Sequence, residues 1–122
     1  MDWYRHQNNT QVRVNQTGEL VYLTFPILEQ KRMVRHLFST RLGGVSEGIF
    51  ATMNLSYTRG DRKEAVDENY RRIAAVLGCN VEDIVCSDQT HTTNLRVVGR
   101  QDCGKGVTRQ KDYQDVDGLL TD

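Results

Sequence analysis

Apolar and polar positions change rhythm several times along this chain. Val12 and Val14 alternate with polar neighbours, Asn15-Gln16-Thr17-Gly18 supplies turn residues, and Leu20-Val21-Tyr22-Leu23-Thr24-Phe25 resumes an apolar-rich run. This predicts a β-hairpin with a four-residue turn at 15–18, its second strand closed by Pro26. Met33 to Thr40 reads as another strand, with Val34, His36 and Phe38 on one side and Met33, Arg35, Leu37 and Ser39 on the other. His36 therefore shares a face with apolar residues and is expected to be a half-buried, hydrogen-bonded core histidine. From Asp61 to Leu77 the period lengthens, and Ala65, Val66, Ile73, Val76 and Leu77 recur at helical spacing. Arg62, Lys63, Glu68, Arg71 and Arg72 cover the opposite side, and Gly78 ends the pattern. Asp61 with Glu64 three residues on has the arrangement of a capping box. Asn69 lies on the apolar stripe and is expected to be satisfied inside the fold rather than catalytic.

Beyond the helix, Ile84-Val85-Cys86 and Leu95-Arg96-Val97-Val98 read as strands on either side of Ser87-Asp88-Gln89-Thr90-His91-Thr92-Thr93-Asn94. A histidine among small polar residues at a strand end can be held rigidly, with one ring nitrogen hydrogen-bonded and the other free. A surface histidine in a hydrophilic hairpin loop fits the same pattern. The polar stretch containing Gly104 and Gly106 reads as a surface loop, and Val116 to Thr121 as a further strand. Residues 1–10 are polar apart from one aromatic pair and are expected to form an extended arm. Strands first, one well-bounded helix over about 61–77, then strands again predicts an α+β fold with mixed sheet rather than alternating βαβ winding.

Composition narrows the function classes. At 122 residues the chain has room for one domain with a real core. Lysine plus arginine and aspartate plus glutamate number 16 each, so no global field favours nucleic acid or an anionic membrane. No apolar stretch is long enough to cross a bilayer and residues near Met1 lack a signal-peptide core, so neither nucleic acid nor membrane is expected as a partner. Three widely spaced cysteines make neither a disulfide framework nor a zinc knuckle, and a reduced cytoplasmic protein is the expectation. With 38% hydrophobic residues the core is lean, as in a chain that buries surface against something else.

Arg41-Leu42-Gly43-Gly44-Val45-Ser46-Glu47-Gly48 follows the third apolar run. Its glycines imply positive φ or a close approach to another surface. In chemistry it also resembles anion-holding loops, an arginine fork beside exposed backbone N–H groups, although a plain turn is the simpler account. No Walker lysine is present.

Several stretches together resemble one family. His36-Leu37-Phe38-Ser39-Thr40-Arg41-Leu42-Gly43-Gly44-Val45-Ser46-Glu47-Gly48, Met53-Asn54-Leu55, Gly60-Asp61 and Val66-Asp67-Glu68-Asn69 occur in order. Ala74 to Gly78, Gln89-Thr90-His91 and Asp117-Gly118-Leu119-Leu120-Thr121 follow. From about residue 20 onward the chain resembles the N-terminal half of a YfiH-family protein, the bacterial laccase-domain group. These proteins were first described as multicopper polyphenol oxidases and later as zinc-dependent purine nucleoside phosphorylases.

The resemblance implies a layered α/β/β/α sandwich, truncated here, with 1–122 as half of a single domain. It implies Zn²⁺ held by His91, with a cysteine of an Ala-Asp-Cys motif and a second histidine beyond Asp122 as the other ligands. Histidine and cysteine donors with one open position suit a Lewis acid or water activator. The implied reaction is phosphorolysis of adenosine or inosine, with adenosine deamination as a further activity, so purine nucleoside and phosphate are the expected partners. Residue chemistry within the matching motifs makes Arg41 the candidate for phosphate, with Asn54, Gln89 and Ser39 as polar contacts. Cys103 precedes the Asp117-Gly118-Leu119 motif and receives no metal role. A chain with one of three ligands is expected to be inert by itself and to hold no ordered metal. Two alternatives stay open. One is copper-dependent oxidation of phenols on the same fold, against which the count of three histidines weighs. The other is a non-enzymatic module that self-associates, or pairs with the missing half, through an open sheet edge.

Overall fold

The computed structural model describes residues 11–122, so the arm expected at 1–10 lies outside the described residues. The chain divides into two compact units, one ending at Leu77 and the other running from Gly78 to Asp122. It is α+β, as the order of the patterns implies, and among the described residues the long helix is single.

The first unit is built on an antiparallel sheet in the order β1 (Arg13–Thr17), β2 (Leu20–Thr24), β3 (Phe38–Ser39). Thr17 pairs with Leu20, so the hairpin turn is the two residues Gly18 and Glu19 rather than the four expected at 15–18. Asn15 and Gln16 stay in the strand because their amides find partners there. Asn15 Nδ2 donates to Thr24 Oγ1 across the pair at 2.9 Å, and Gln16 Nε2 donates to Gly18 O at 3.0 Å. Gly18 takes φ of +59° at the first turn position, which primed two-residue turns demand.

Pro26 does close β2, but it also opens a short helix, α1 (Pro26–Lys31), absent from the expectation. Proline at N1 has the right φ and no N–H to leave unpaired. The strand expected over 33–40 shrinks to β3, paired with Tyr22 and Leu23. One cause is His36, whose Nε2 accepts the Phe25 N–H at 2.7 Å while its ring stacks on Phe25 with centroids 5.8 Å apart. A donor that would extend the ladder is thereby taken by a side chain, and His36 is the half-buried, bonded histidine its neighbours imply.

The main helix, α2 (Lys63–Leu77), begins two residues later than Asp61. Its inner face, Ala65, Val66, Asn69, Tyr70, Ile73 and Ala74, is buried. Leu20, Met53 and Ile73 form the centre of the core, with Tyr22, Leu37, Leu55, Val76 and Leu77 packed around them. Asp61 makes no capping box with Glu64, because its carboxylate is committed elsewhere. Oδ2 accepts Ser46 Oγ–H at 2.6 Å and Asn54 Nδ2 at 3.1 Å, and Oδ1 accepts the Arg62 N–H at 2.8 Å.

In the second unit β4 (Leu95–Val97) and β5 (Gly118–Leu120) pair in parallel, Leu95 opposite Gly118. Ile84–Cys86 is not a strand. Its groups bond singly, Cys86 N–H to Lys105 O and Gly104 N–H to Ile84 O, both at 2.9 Å. The polar stretch around Gly104 and Gly106 is not a surface loop either, because Asp102, Lys105 and Val107 are buried with Val98, Tyr113 and Val116. Lys105 Nζ donates to Asp102 Oδ1 at 2.6 Å, and Asp102 Oδ2 accepts the Gly99 N–H at 2.9 Å. A charged pair that neutralises itself can enter a core, and residue-by-residue polarity does not reveal that. Among the described residues no helix is long and apolar enough to cross a membrane.

Candidate functional site

The candidate residues of the first unit surround the loop between β3 and α2. Gly43 and Gly44 lie there because nothing larger fits. A Cβ on Gly43 would lie 2.2 Å from the Leu20 Cα, and one on Gly44 only 2.1 Å from Thr52 O and 2.6 Å from Asn69 Oδ1. Close approach is what this glycine pair serves. Four of the loop's N–H groups are turned inward: Leu42 to Thr40 Oγ1, Gly44 to Thr52 Oγ1, Val45 to Asn69 Oδ1 and Ser46 to Thr52 O.

Asn69 is the hub of this packing. It is fully buried, and its Nδ2 reaches Ser46 Oγ at 2.9 Å, Asn54 O at 2.8 Å and Thr52 O at 3.3 Å. The Ser46 hydroxyl, then the Asn54 amide, hold the Asp61 carboxyl below its usual range.

Arg41 is exposed, and its Nε and Nη2 both donate to Ala51 O, at 3.3 and 3.0 Å. Arg41 and Asn54 line one open depression of about 340 Å³ with Ile49, Phe50, Ala51 and Met53. The Asn54 amide is turned to Ser56 and Asp61, bonding Ser56 O at 3.2 Å and accepting the Ser56 N–H at 3.1 Å. Ser39, half-buried opposite Tyr22 in the sheet, does not line that depression.

Gln89 and His91 belong to the second unit, and both are exposed. His91 takes φ of +63°, a left-handed conformation uncommon outside glycine. The segment that carries it is laced to residues 115–118. Asp88 and Val116 exchange backbone hydrogen bonds at 2.8 and 3.0 Å. Asp88 Oδ2 accepts the Asp115 N–H at 2.9 Å, and Lys111 Nζ donates to Asp88 Oδ1 at 3.0 Å. Those two contacts, the Asp115 N–H first, hold the Asp88 carboxyl below its usual range. Thr90 Oγ1 donates to Asp115 Oδ1 at 2.9 Å, and Asn94 Nδ2 to Asp115 O at 2.8 Å. Asp117 is held low by the Thr92 N–H first, then by the Thr90 N–H, the Thr92 hydroxyl and the nearby His91.

These aspartates were not among the sequence candidates. The signal available was Asp115-Val116-Asp117 just before an apolar run, with a hydroxyl-rich histidine loop elsewhere. The exposed imidazole offers one donor on a tied-down loop, and among the described residues no three histidine, cysteine, aspartate or glutamate side chains gather as a metal-holding group.

Residues 35–122 match the family model described as multi-copper polyphenol oxidoreductase laccase. YlmD of Geobacillus stearothermophilus, named a purine nucleoside phosphorylase, is 36% identical over 88 residues, which is 69% of this chain and 31% of that protein. A purine nucleoside phosphorylase of Deinococcus radiodurans is 42% identical over 67 residues, 54% of this chain and 26% of that one. Among solved structures, Bacillus licheniformis YfiH superposes with a TM-score of 0.76 at 28% identity, covering 91% of this chain and 40% of its own. The chain thus spans well under half the length of the relatives it matches. With most of its length matched by one family model and YfiH as a structural neighbour, the chain belongs to the YfiH family of laccase-domain proteins.

Proposed function

We propose that this chain is the N-terminal part of a zinc-dependent purine nucleoside phosphorylase, contributing to a single YfiH-like domain in a reducing cytoplasm. The observation that carries the reading is His91, an exposed imidazole on a left-handed residue within a loop tied down on both sides. Such a loop carries the α-carbon of residue 91 at a fixed position, as suits a metal ligand. The remaining ligands come from chain beyond Asp122. Zinc, once bound, supplies a Lewis acid. Phosphorolysis places phosphate at the ribose C1′ as the purine departs through an oxocarbenium-like transition state, and a cation near the phosphate lowers that barrier. Arg41 is the residue for this task. Its guanidinium is exposed and anchored on Ala51 O, leaving its outer edge for an anion. Gln89, also exposed, is a polar contact for the nucleoside. Asn54, which lines the same depression as Arg41, and Ser39 are the further polar contacts of this proposal. Adenosine and inosine are the proposed substrates, with adenosine deamination as a side activity, and residues 1–122 alone are inert.

The test is phosphate-dependent release of hypoxanthine from inosine by the protein extended to the length of its relatives, assayed with its zinc content. His91→Ala is expected to lower the rate at least a hundredfold and to remove bound zinc. Retained activity, or copper in place of zinc with oxidation of phenols, would sink the proposal.

A second reading, association through an open sheet, draws on one observation. Leu95 and Val97 on β4 are 66% and 76% exposed, and Leu120 on β5 is 52% exposed. Parallel strands are ordinarily covered on both faces.

A further inference from the structure

We propose that Asp117 is the positioning residue for His91, its carboxylate gripping the residues on both sides of the imidazole and holding residue 91 in the left-handed conformation. The inference deepens the reading of His91 as a metal ligand and rests on it. A single oxygen, Asp117 Oδ1, accepts the Thr90 N–H at 3.1 Å and the Thr92 hydroxyl at 2.9 Å. Residues 90 and 92 flank the one histidine of this loop, whose φ is +63°. A non-glycine residue disfavours that conformation by roughly 1–2 kcal/mol, so an unrestrained loop would return to negative φ and swing the ring away. Two charge-assisted bonds to one acceptor are of the right size to oppose that return.

The grip is itself anchored. Asp117 and Gly118 donate their N–H groups to Asn94 O at 3.0 and 3.3 Å, just where β4 and β5 begin to pair. Asp115 adds a second tether through Thr90 Oγ1 and Asn94 Nδ2. The carboxylate is therefore fixed to the sheet, and the histidine is fixed to the carboxylate. An aspartate placed for stability alone would secure the strand ends equally well without bonding to both neighbours of the imidazole.

The experiment reads two NMR signals from the 122-residue chain, amide exchange at Thr90 and Thr92 and the HN–Hα coupling of His91. A third signal, the affinity for zinc ion alone, is read from the protein extended to the length of its relatives. Asp117→Ala is expected to speed exchange at both threonines about tenfold or more, move the coupling off its left-handed value and weaken zinc binding about tenfold. Asp117→Asn keeps an oxygen in place and is expected to restore most of all three. The Val98 amide, bonded to Leu120 O at 2.9 Å, reports whether the unit is still folded. Should Asp117→Ala lose that protection, Thr92→Val removes one grip only and is expected to change the same signals in the same direction. Unchanged exchange and coupling with Val98 still protected overturns the proposal. So does a broken clamp with zinc binding unaltered. If His91→Ala binds zinc as well as the unaltered extended protein, the ligand reading fails instead, and exchange and coupling still decide for or against the clamp.

Discussion

Asn69 shows how one side chain can define a loop. Its carboxamide, fully buried, accepts from Val45 and reaches three acceptors across the 46–54 segment. Removing it strands a buried backbone N–H and the acceptors together, so Asn69→Ala is expected to lower unfolding free energy by about 3 kcal/mol in urea titration. Gly44→Ala is expected to do comparable damage by a different route. Its methyl group would overlap Thr52 O and Asn69 Oδ1, and overpacking of this kind costs about 1–3 kcal/mol or more where backbone must move. The spacing of apolar residues marks Asn69 as a polar residue on a buried stripe, and the clustered glycines mark a place of positive φ or close approach. What it does not carry is which surfaces meet, since Asn69 and Val45 lie 24 residues apart. His91 stands out in the sequence for its neighbours, whereas Asp117 is read there only as part of a motif, with no role, because its partners lie on another segment, 25 to 27 residues away.

Among the elements, α2 was the most legible, because fifteen residues of consistent period leave little ambiguity. The six-residue α1 has too few turns to show a period, and Ile84–Cys86 shows that an apolar triplet is not enough to specify a strand. The start of α2 was displaced because Asp61 bonds Ser46 and Asn54, partners contributed by a distant loop. Along the outer face, Arg71 first and Arg72 next depress the Glu68 carboxyl from its ordinary 4.5 to about 2. Arg71 Nη2 and Arg72 Nε lie 2.6 and 3.1 Å from Glu68 Oε1. A carboxylate with a lowered folded-state pKa adds stability above its unfolded pKa and loses it as the proton returns. The contribution of Glu68 is therefore expected to be full above pH about 4.5 and to vanish by about 2. Comparing acid unfolding of Glu68→Gln with the unaltered chain checks this. The two curves should separate above that window and converge below it, by a modest amount because Arg71 is largely exposed.

For the molecule as a whole, two units carry two kinds of interior. The first has an apolar centre of Leu20, Met53 and Ile73, and the second buries the Asp102–Lys105 pair among Val98, Val107, Tyr113 and Val116. Arg96 lies over the Tyr113 ring at 4.6 Å, adding a cation–π contact to that interior. The α+β class was legible from the order of patterns, and a lean apolar content hinted at surface left uncovered, which Leu95, Val97 and Leu120 display. If that surface mediates association, sedimentation of the 122-residue chain should show a concentration-dependent dimer, and Val97→Lys should return it to monomer. A monomer at all concentrations would count against the second reading. The left-handed backbone at position 91 has a further bearing on thermal behaviour. Glycine adopts that conformation freely, so His91→Gly is expected to melt several degrees above His91→Ala, by differential scanning calorimetry, and to rival the unaltered chain. A polypeptide shaped for heat resistance alone would place glycine there. Under the proposed function, an imidazole is kept at that position at some cost in endurance.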